Sequence, residues 1–168
     1  NNAKVNALFD PKYSGTLFGI DQLGNYRPEL FTQSLAIIAI GNNSTRKKAS
    51  TTLRHKFGNV IHSSVLASPF SNFGEGTVLF HNSIIQANSI IGKHAIINTG
   101  AQVDHDCILG DFVHVAPGAI LCGSVDVGEG TLIGAGATII PGMKVGKWSV
   151  IGAGAVVTKN VPAGVVAK

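Results

Sequence analysis

The stretch VDHDCILGDFVHVAPGA, Val103 to Ala119, sets two histidines, His105 and His114, and three aspartates, Asp104, Asp106 and Asp111, among small and apolar residues. An imidazole exchanges protons near neutral pH, so a histidine flanked by carboxylates is a candidate acid–base group. The competing reading is a polar turn in water. Cys107 and Cys122 form no CxxC pair of the metal-binding kind. What the cluster can do depends on the elements that carry it.

Its flanks repeat an aliphatic residue every six positions. Read in sixes from Ile61, the chain runs IHSSVL, ASPFSN, FGEGTV and onward to VTKNVP, and the first position is Ile, Leu or Val in every block except those opening at Ala67 and Phe73. The fifth position is mostly Ala, Ser, Thr, Val or Cys. Strand side chains alternate, so the fifth, sixth and next first positions read as a short strand with its ends inward and its middle outward. Positions two to four make the turn, where Gly92, Gly110, Gly128, Gly134, Gly146 and Gly152 suit a sharply bent chain. The register is expected to run unbroken to Pro162. So long a repeat is the mark of a solenoid. It also places His62, His81, His94 and His105 in turns, so turn location alone does not single out His105.

Before Ile61 the pattern changes. KVNALFD reads as a strand, SLAIIAIG as a buried strand, and NSTRKKASTTLRHKF as a helix capped by Asn43 or Ser44, with Arg46, Lys47 and Lys48 on its solvated face. Asn59 and Val60 mark the boundary, dividing the chain into residues 1–59 and 60–168. Across its 168 residues, 13% charged and 45% hydrophobic residues with 21 glycines exclude a disordered or coiled-coil chain. The net charge of +4 is scattered, which argues against nucleic acid as a partner. No apolar run approaches a membrane span, and NNAKVNALFD lacks the regions of a signal peptide. With only two cysteines, a soluble protein in a reducing, cytoplasmic setting is expected.

Within the repeat, INTGAQVDHDCILGDFVHVAPGA is similar to the hexapeptide-repeat acyltransferases, in particular the bacterial branch that acetylates nucleotide-linked amino sugars or sialic acid. IAIGNNSTRKKA resembles the end of that branch's small N-terminal sugar-nucleotide domain, and GAGAVVTKNVPAG its C-terminal coils. The resemblance implies a left-handed parallel β-helix with three blocks to an eighteen-residue coil, preceded by a small Rossmann-like α/β domain. The usual preference for right-handed parallel crossovers would favour the opposite hand. It further implies a first strand and a glycine-rich turn upstream of Asn1.

By the same resemblance His105 is the general base and Asp106 orients and polarises it, while Asp104 is a turn residue. Eighteen residues beyond His105 lies Gly123, whose backbone is expected at the acetyl end of acetyl-CoA. The backbone at Ala135 and Ala153, also eighteen apart, is expected to line the coenzyme's arm. His114 is expected to contact the cofactor in the active site, yet it sits nine residues, half a coil, from His105. One chain cannot bring the two together, which fits a homotrimer with sites between subunits. Asp10, Gly41 and Asn42, at strand ends of the α/β part, are assigned to the nucleotide sugar. The expected activity is acetyl-CoA-dependent N-acetylation of a nucleotide-linked, UDP-type amino sugar for surface glycan synthesis, without a metal. O-acetylation of sialic acid or another sugar is the nearest alternative. A zinc enzyme of the γ-carbonic anhydrase kind would need convergent histidines, and the HxxxxH pair is missing. A non-enzymatic β-helix is the remaining class.

Overall fold

The computed structural model describes residues 4–168. From Val60 onward the chain winds as a three-sided parallel β-helix of two-residue strands. The first face stacks seven strands, among them Ile96–Ile97, His114–Val115 and Leu132–Ile133. The second stacks six, including Ile84–Ile85, Gln102–Val103 and Ile120–Leu121. The third stacks five, including Ile90–Ile91, Ile108–Leu109 and Asp126–Val127. Gln102 pairs with Ile120 and His114 with Leu132, so one coil is eighteen residues, as the sixfold repeat implies.

Alternation decides what the interior holds. Along Cys107, Ile108 and Leu109 the outer two are 0% and 1% exposed and the middle one 52%. The first positions, from Leu79 to Val157, and small fifth positions such as Ala95, Val113 and Ala119 form one continuous core. Polar fifth positions are buried with their hydroxyls satisfied. Thr77 donates to Gly92 O at 2.9 Å, Ser89 to Asp104 O at 2.6 Å and Thr131 to Gly146 O at 2.8 Å. Cys107 makes the same contact, its Sγ lying 3.2 Å from Cys122 O, and is thus a stand-in for serine in the repeat.

The turns correct the sequence expectation in two respects. The left-handed residue is the fourth position, as at Asp106 (φ 59°) and Gly118 (φ 67°), whereas the second-position glycines need no positive φ. They answer a different demand. A Cβ at Gly92 would lie 2.5 Å from Asp111 N, and one at Gly110 2.6 Å from Glu129 N, so these glycines let successive coils stack closely. The register also breaks at the last block. Val145 bridges to Val161 and Val150 pairs with Val166, two residues short of a full coil. The Lys144 N–H, which strict register would give to a carbonyl of the next coil, donates to Asn160 Oδ1 at 2.8 Å instead, and Val161 takes the place above Val145.

The N-terminal part is less regular than its sequence suggests. Neither KVNALFD nor SLAIIAIG forms a laddered strand: the first contributes an isolated bridge at Leu8 and the second one between Ala36 and Phe57. Apolar alternation fits a residue to a strand, but a strand exists only where a neighbour supplies the hydrogen bonds. Within SLAIIAIG only Ile38 is buried. A hairpin absent from the sequence expectation pairs β1 (Ser14–Leu17) with β2 (Ile20–Leu23) through Phe18 and Gly19, both at positive φ. The helix α1 spans Asn43–Thr52 and ends well before Phe57. Ser50, Thr51 and Thr52 each bond back to the carbonyl three residues earlier, a competition with the helical ladder that marks its end.

Candidate active site

Strand Gln102–Val103 delivers Asp104, His105 and Asp106 to the corner between the second and third faces. Asp106 occupies the left-handed position, a conformation short polar residues tolerate. There its Oδ2 lies 2.8 Å from His105 Nδ1, while its Oδ1 accepts from Asn88 Nδ2 one coil away at 3.2 Å. Asp104 closes the turn by accepting the His105 N–H at 2.8 Å. Both His105 and Asp106 have more than half of their side chains in solvent. With Nδ1–H donated to the carboxylate, His105 keeps its Nε2 lone pair open. The hydrogen bond to Asp106 raises the His105 pKa above the ordinary histidine value, and the Asp104 charge adds to it. The Asp106 carboxyl is held below its ordinary range by His105 and then by Asn88.

Gly123 stacks on this ring: a Cβ there would lie 2.6 Å from both Cε1 and Nε2 of His105. The register arithmetic thus places glycine where any side chain would cover the His105 ring. Ala135 and Ala153 stack at the corner between the first and second faces, with Gly154 N–H bonded to Ala135 O at 2.8 Å. Among the described residues the amides of Gly123, Ala135 and Ala153 donate to no carbonyl of the coil ladder.

His114 lies on the first face, across the prism from the His105 corner. It is half-buried. Asn98 Oδ1 accepts the Thr99 N–H at 2.8 Å, which turns Asn98 Nδ2 toward His114 Nε2 at 3.1 Å. His114 therefore accepts at Nε2 and carries its proton on Nδ1. Burial lowers its pKa, the Arg46 charge lowers it further, and the Gly41 backbone beside it acts in the opposite sense. Neutral His114 thus neighbours the loop assigned to the nucleotide sugar.

That loop differs in detail from expectation. The helix cap is Asn42, whose Oδ1 accepts from Thr45 N at 2.9 Å and from the Ser44 and Thr45 hydroxyls. Asn43 is buried against the β-helix instead of capping. Gly41 is open on its Cα side, where a Cβ would meet nothing within 4 Å. Asp10 holds its own turn, its Oδ1 accepting from Lys12 N at 2.9 Å. The solvated-face expectation fails for Arg46, which is 1% exposed because α1 lays it onto the coils. Lys47 is half in solvent, paired with Glu129 and over the Trp148 ring.

Three contributors were missed from sequence: Asn88, Asn98 and Arg46. The eighteen-residue step would have found Asn88, which sits one coil below Asp106. No local signal marks the other two. Two concavities, about 240 Å³ between Ala155 and Lys168 and about 430 Å³ over Asp126, Lys144 and Asn160, lie away from His105. Among the described residues no group of three His, Cys, Asp or Glu comes together as a metal site, and no helix is long and apolar enough to cross a membrane.

Comparison with known proteins gives a family and several close folds. The family model for bacterial transferase hexapeptides (six repeats) matches residues 124–159. A variant of perosamine N-acetyltransferase from Caulobacter crescentus, in complex with CoA and GDP-perosamine, is 38% identical over 95% of this chain and 80% of its own, with a TM-score of 0.91. The acetyltransferase domain of PglB from Neisseria gonorrhoeae is 34% identical over 95% of this chain and 82% of its own, with a TM-score of 0.89. WeeI from Acinetobacter baumannii is 33% identical over 95% and 81%, with a TM-score of 0.77.

Proposed function

The chain belongs to the hexapeptide-repeat sugar acetyltransferases, and on that premise we propose that it moves the acetyl group of acetyl-CoA onto the amine of a nucleotide-linked amino sugar. What carries the assignment is the His105 ring, tethered at Nδ1 by Asp106 and open at Nε2 beneath the Gly123 turn. As the sugar nitrogen attacks the thioester carbonyl, an N–C bond forms and the amine proton passes to Nε2. Asp106 stabilises the resulting imidazolium. The C–S bond then breaks and coenzyme A leaves as a thiolate, stable enough to need no strong acid. The Gly123 amide is assigned to the developing oxyanion, and the amides of Ala135 and Ala153 to the coenzyme's arm.

Residues 1–59 are assigned to the sugar nucleotide, with Asp10, Gly41 and Asn42 as contacts, and residues 60–168 to acetyl transfer. Gly41 and His114 share the first face while His105 lies at the opposite corner. A site that uses all three draws on two chains, so we place it between subunits of a homotrimer. Free Cys107 and Cys122 fit a reducing cytoplasm.

The test is an assay of purified protein with acetyl-CoA and a panel of UDP- and GDP-linked amino sugars, following thiol release and the mass of the product. One member of the panel is expected to gain an acetyl group on nitrogen. His105→Ala is expected to lose about 10²–10⁴-fold in turnover while still binding acetyl-CoA. Acetylation confined to sugar hydroxyls, or full turnover by His105→Ala, would overturn the proposal.

A further inference from the structure

The β-helix leaves the carbonyl of the fourth turn residue without a backbone partner in the coils. The fourth turn residue is left-handed, with φ 53° at His94, 59° at Phe112 and 68° at Gly130. Its N–H bonds to the third position of the neighbouring coil, as His94 does to Glu75, Phe112 to Lys93 and Gly130 to Asp111. Among the described residues no fourth-position C=O from Gly76 to Gly154 accepts a backbone N–H. At the corner between the third and first faces, three of these carbonyls stand in a column one coil apart, and α1 lies on them.

Two side chains of α1, three residues apart on one helix face, read the column. Arg46 donates from Nε to His94 O and from Nη2 to Phe112 O, each at 2.8 Å. Asn43 Nδ2 donates to Gly130 O at 3.0 Å and reaches Thr131 O at 3.3 Å. Thr131 O also accepts the His114 N–H at 3.0 Å, so the contact touches the strand that carries His114. Asn43 Oδ1 takes the second Nη2 proton at 2.8 Å, and Nη1 turns back to Ile40 O at 2.9 Å and Gly41 O at 3.1 Å. All five guanidinium protons are used.

A buried cation is an expensive way to hold two elements together, since well-packed apolar side chains often do as well. Arg46 stays charged at neutral pH even though burial lowers its pKa to about 10. What the planar fork supplies is geometry. Adjacent strands stand about 4.7–4.9 Å apart, a spacing that a fork bridges and a single ammonium does not. Two donors grip successive coils while two grip the loop, so the coil register is handed on to Gly41.

We propose that Asn43 and Arg46 are positioning residues that fix the Gly41 loop, and the sugar nucleotide it binds, at a set height over His114. This rests on the assignment of Gly41 to the nucleotide-sugar site. Neither residue touches the reacting atoms, so their effect belongs on sugar binding and not on the chemical step.

The experiment compares Arg46→Lys and Asn43→Ala with the unaltered full chain, measuring KM for each substrate, kcat, sugar-nucleotide affinity by calorimetry and oligomeric state. In Arg46→Lys the sugar-nucleotide KM and Kd are expected to rise at least about tenfold, while kcat and the acetyl-CoA KM stay within about threefold. Asn43→Ala keeps both Arg46–coil bonds and is expected to show a smaller rise confined to the same substrate. An unchanged sugar KM in a folded variant overturns the proposal, as does an equal loss for both substrates, which is the mark of a general structural role. If Arg46→Lys does not fold, Asn43→Ala decides by the same criterion. Unaltered protein that neither binds nor acetylates any sugar nucleotide defeats the functional assignment itself, and this proposal with it. Active unaltered protein with indifferent variants defeats only the positioning role.

Discussion

The His105 imidazole stands at an exposed corner, so its neighbours and not burial set its proton affinity. The Asp106 hydrogen bond is the largest cause of its raised pKa and the Asp104 charge the next. A base serves only when deprotonated, so the acid limb of kcat/KM against pH is expected above histidine's ordinary value. Asp106→Asn removes the largest cause: the limb is expected to move to lower pH and the plateau to fall, because the imidazolium loses its counter-charge. Asp104→Asn is expected to move the limb the same way by less. Profiles of the three proteins check this, and a limb that stays put in Asp106→Asn would mean that another group titrates. The contact between His105 and Asp106 was legible because the resemblance pointed to the pair and the two residues lie side by side in one turn. Arg46 was not. Within RKK it looks like one of three solvated cations, and its burial depends on a column of carbonyls that exists only after the coils have stacked.

The coil is the element that sequence specifies best, because each block states its own inside and outside. Ile133 is a first position and 0% exposed; Gly123 is a third position and stacks on the His105 ring. Their substitutions should therefore fail in different ways. Gly123→Val is expected to fold, since the imidazole it displaces is exposed and free to swing into solvent, and to lose acetyl-CoA binding, since the new side chain fills the space assigned to the acetyl end. Ile133→Asp is expected not to fold, because an unpaired core carboxylate adds to the about 2–5 kcal/mol that a large-to-small core change costs. Thermal unfolding and acetyl-CoA titration of both variants separate the outcomes, and equal loss of folding would mean that the third position points inward. Elements whose partners lie far off in sequence were less legible. SLAIIAIG has the composition of a buried strand, but among the described residues its only strand-type pairing is the bridge from Ala36 to Phe57. The register likewise shortens at the last block, where the Asn160 side chain takes the Lys144 N–H, a capture that a count of aliphatic positions does not reveal.

At the scale of the whole molecule, three-sided symmetry decides which groups one chain can bring together. The hand of the coil cannot be derived from the repeat and comes from the family alone. The separation of His105 from His114 follows from the register: corner against opposite face, with the Gly41 loop on the His114 side. If one site uses both histidines, each site takes His105 from one chain and His114 with its sugar loop from the next. Mixing inactive chains tests this. In a cyclic trimer built from His105→Ala and His114→Ala chains, one interface of the three joins the intact His105 of one parent to the intact His114 of the other. Random exchange in equal amounts leaves three-quarters of the trimers mixed, so about a quarter of the unaltered activity is expected to return. Each parent alone must be nearly inactive, and exchange is verified by mass. Mixed trimers as inactive as their parents would place both histidines in separate functions. A fully active His114→Ala chain would remove His114 from the site before any mixing is done.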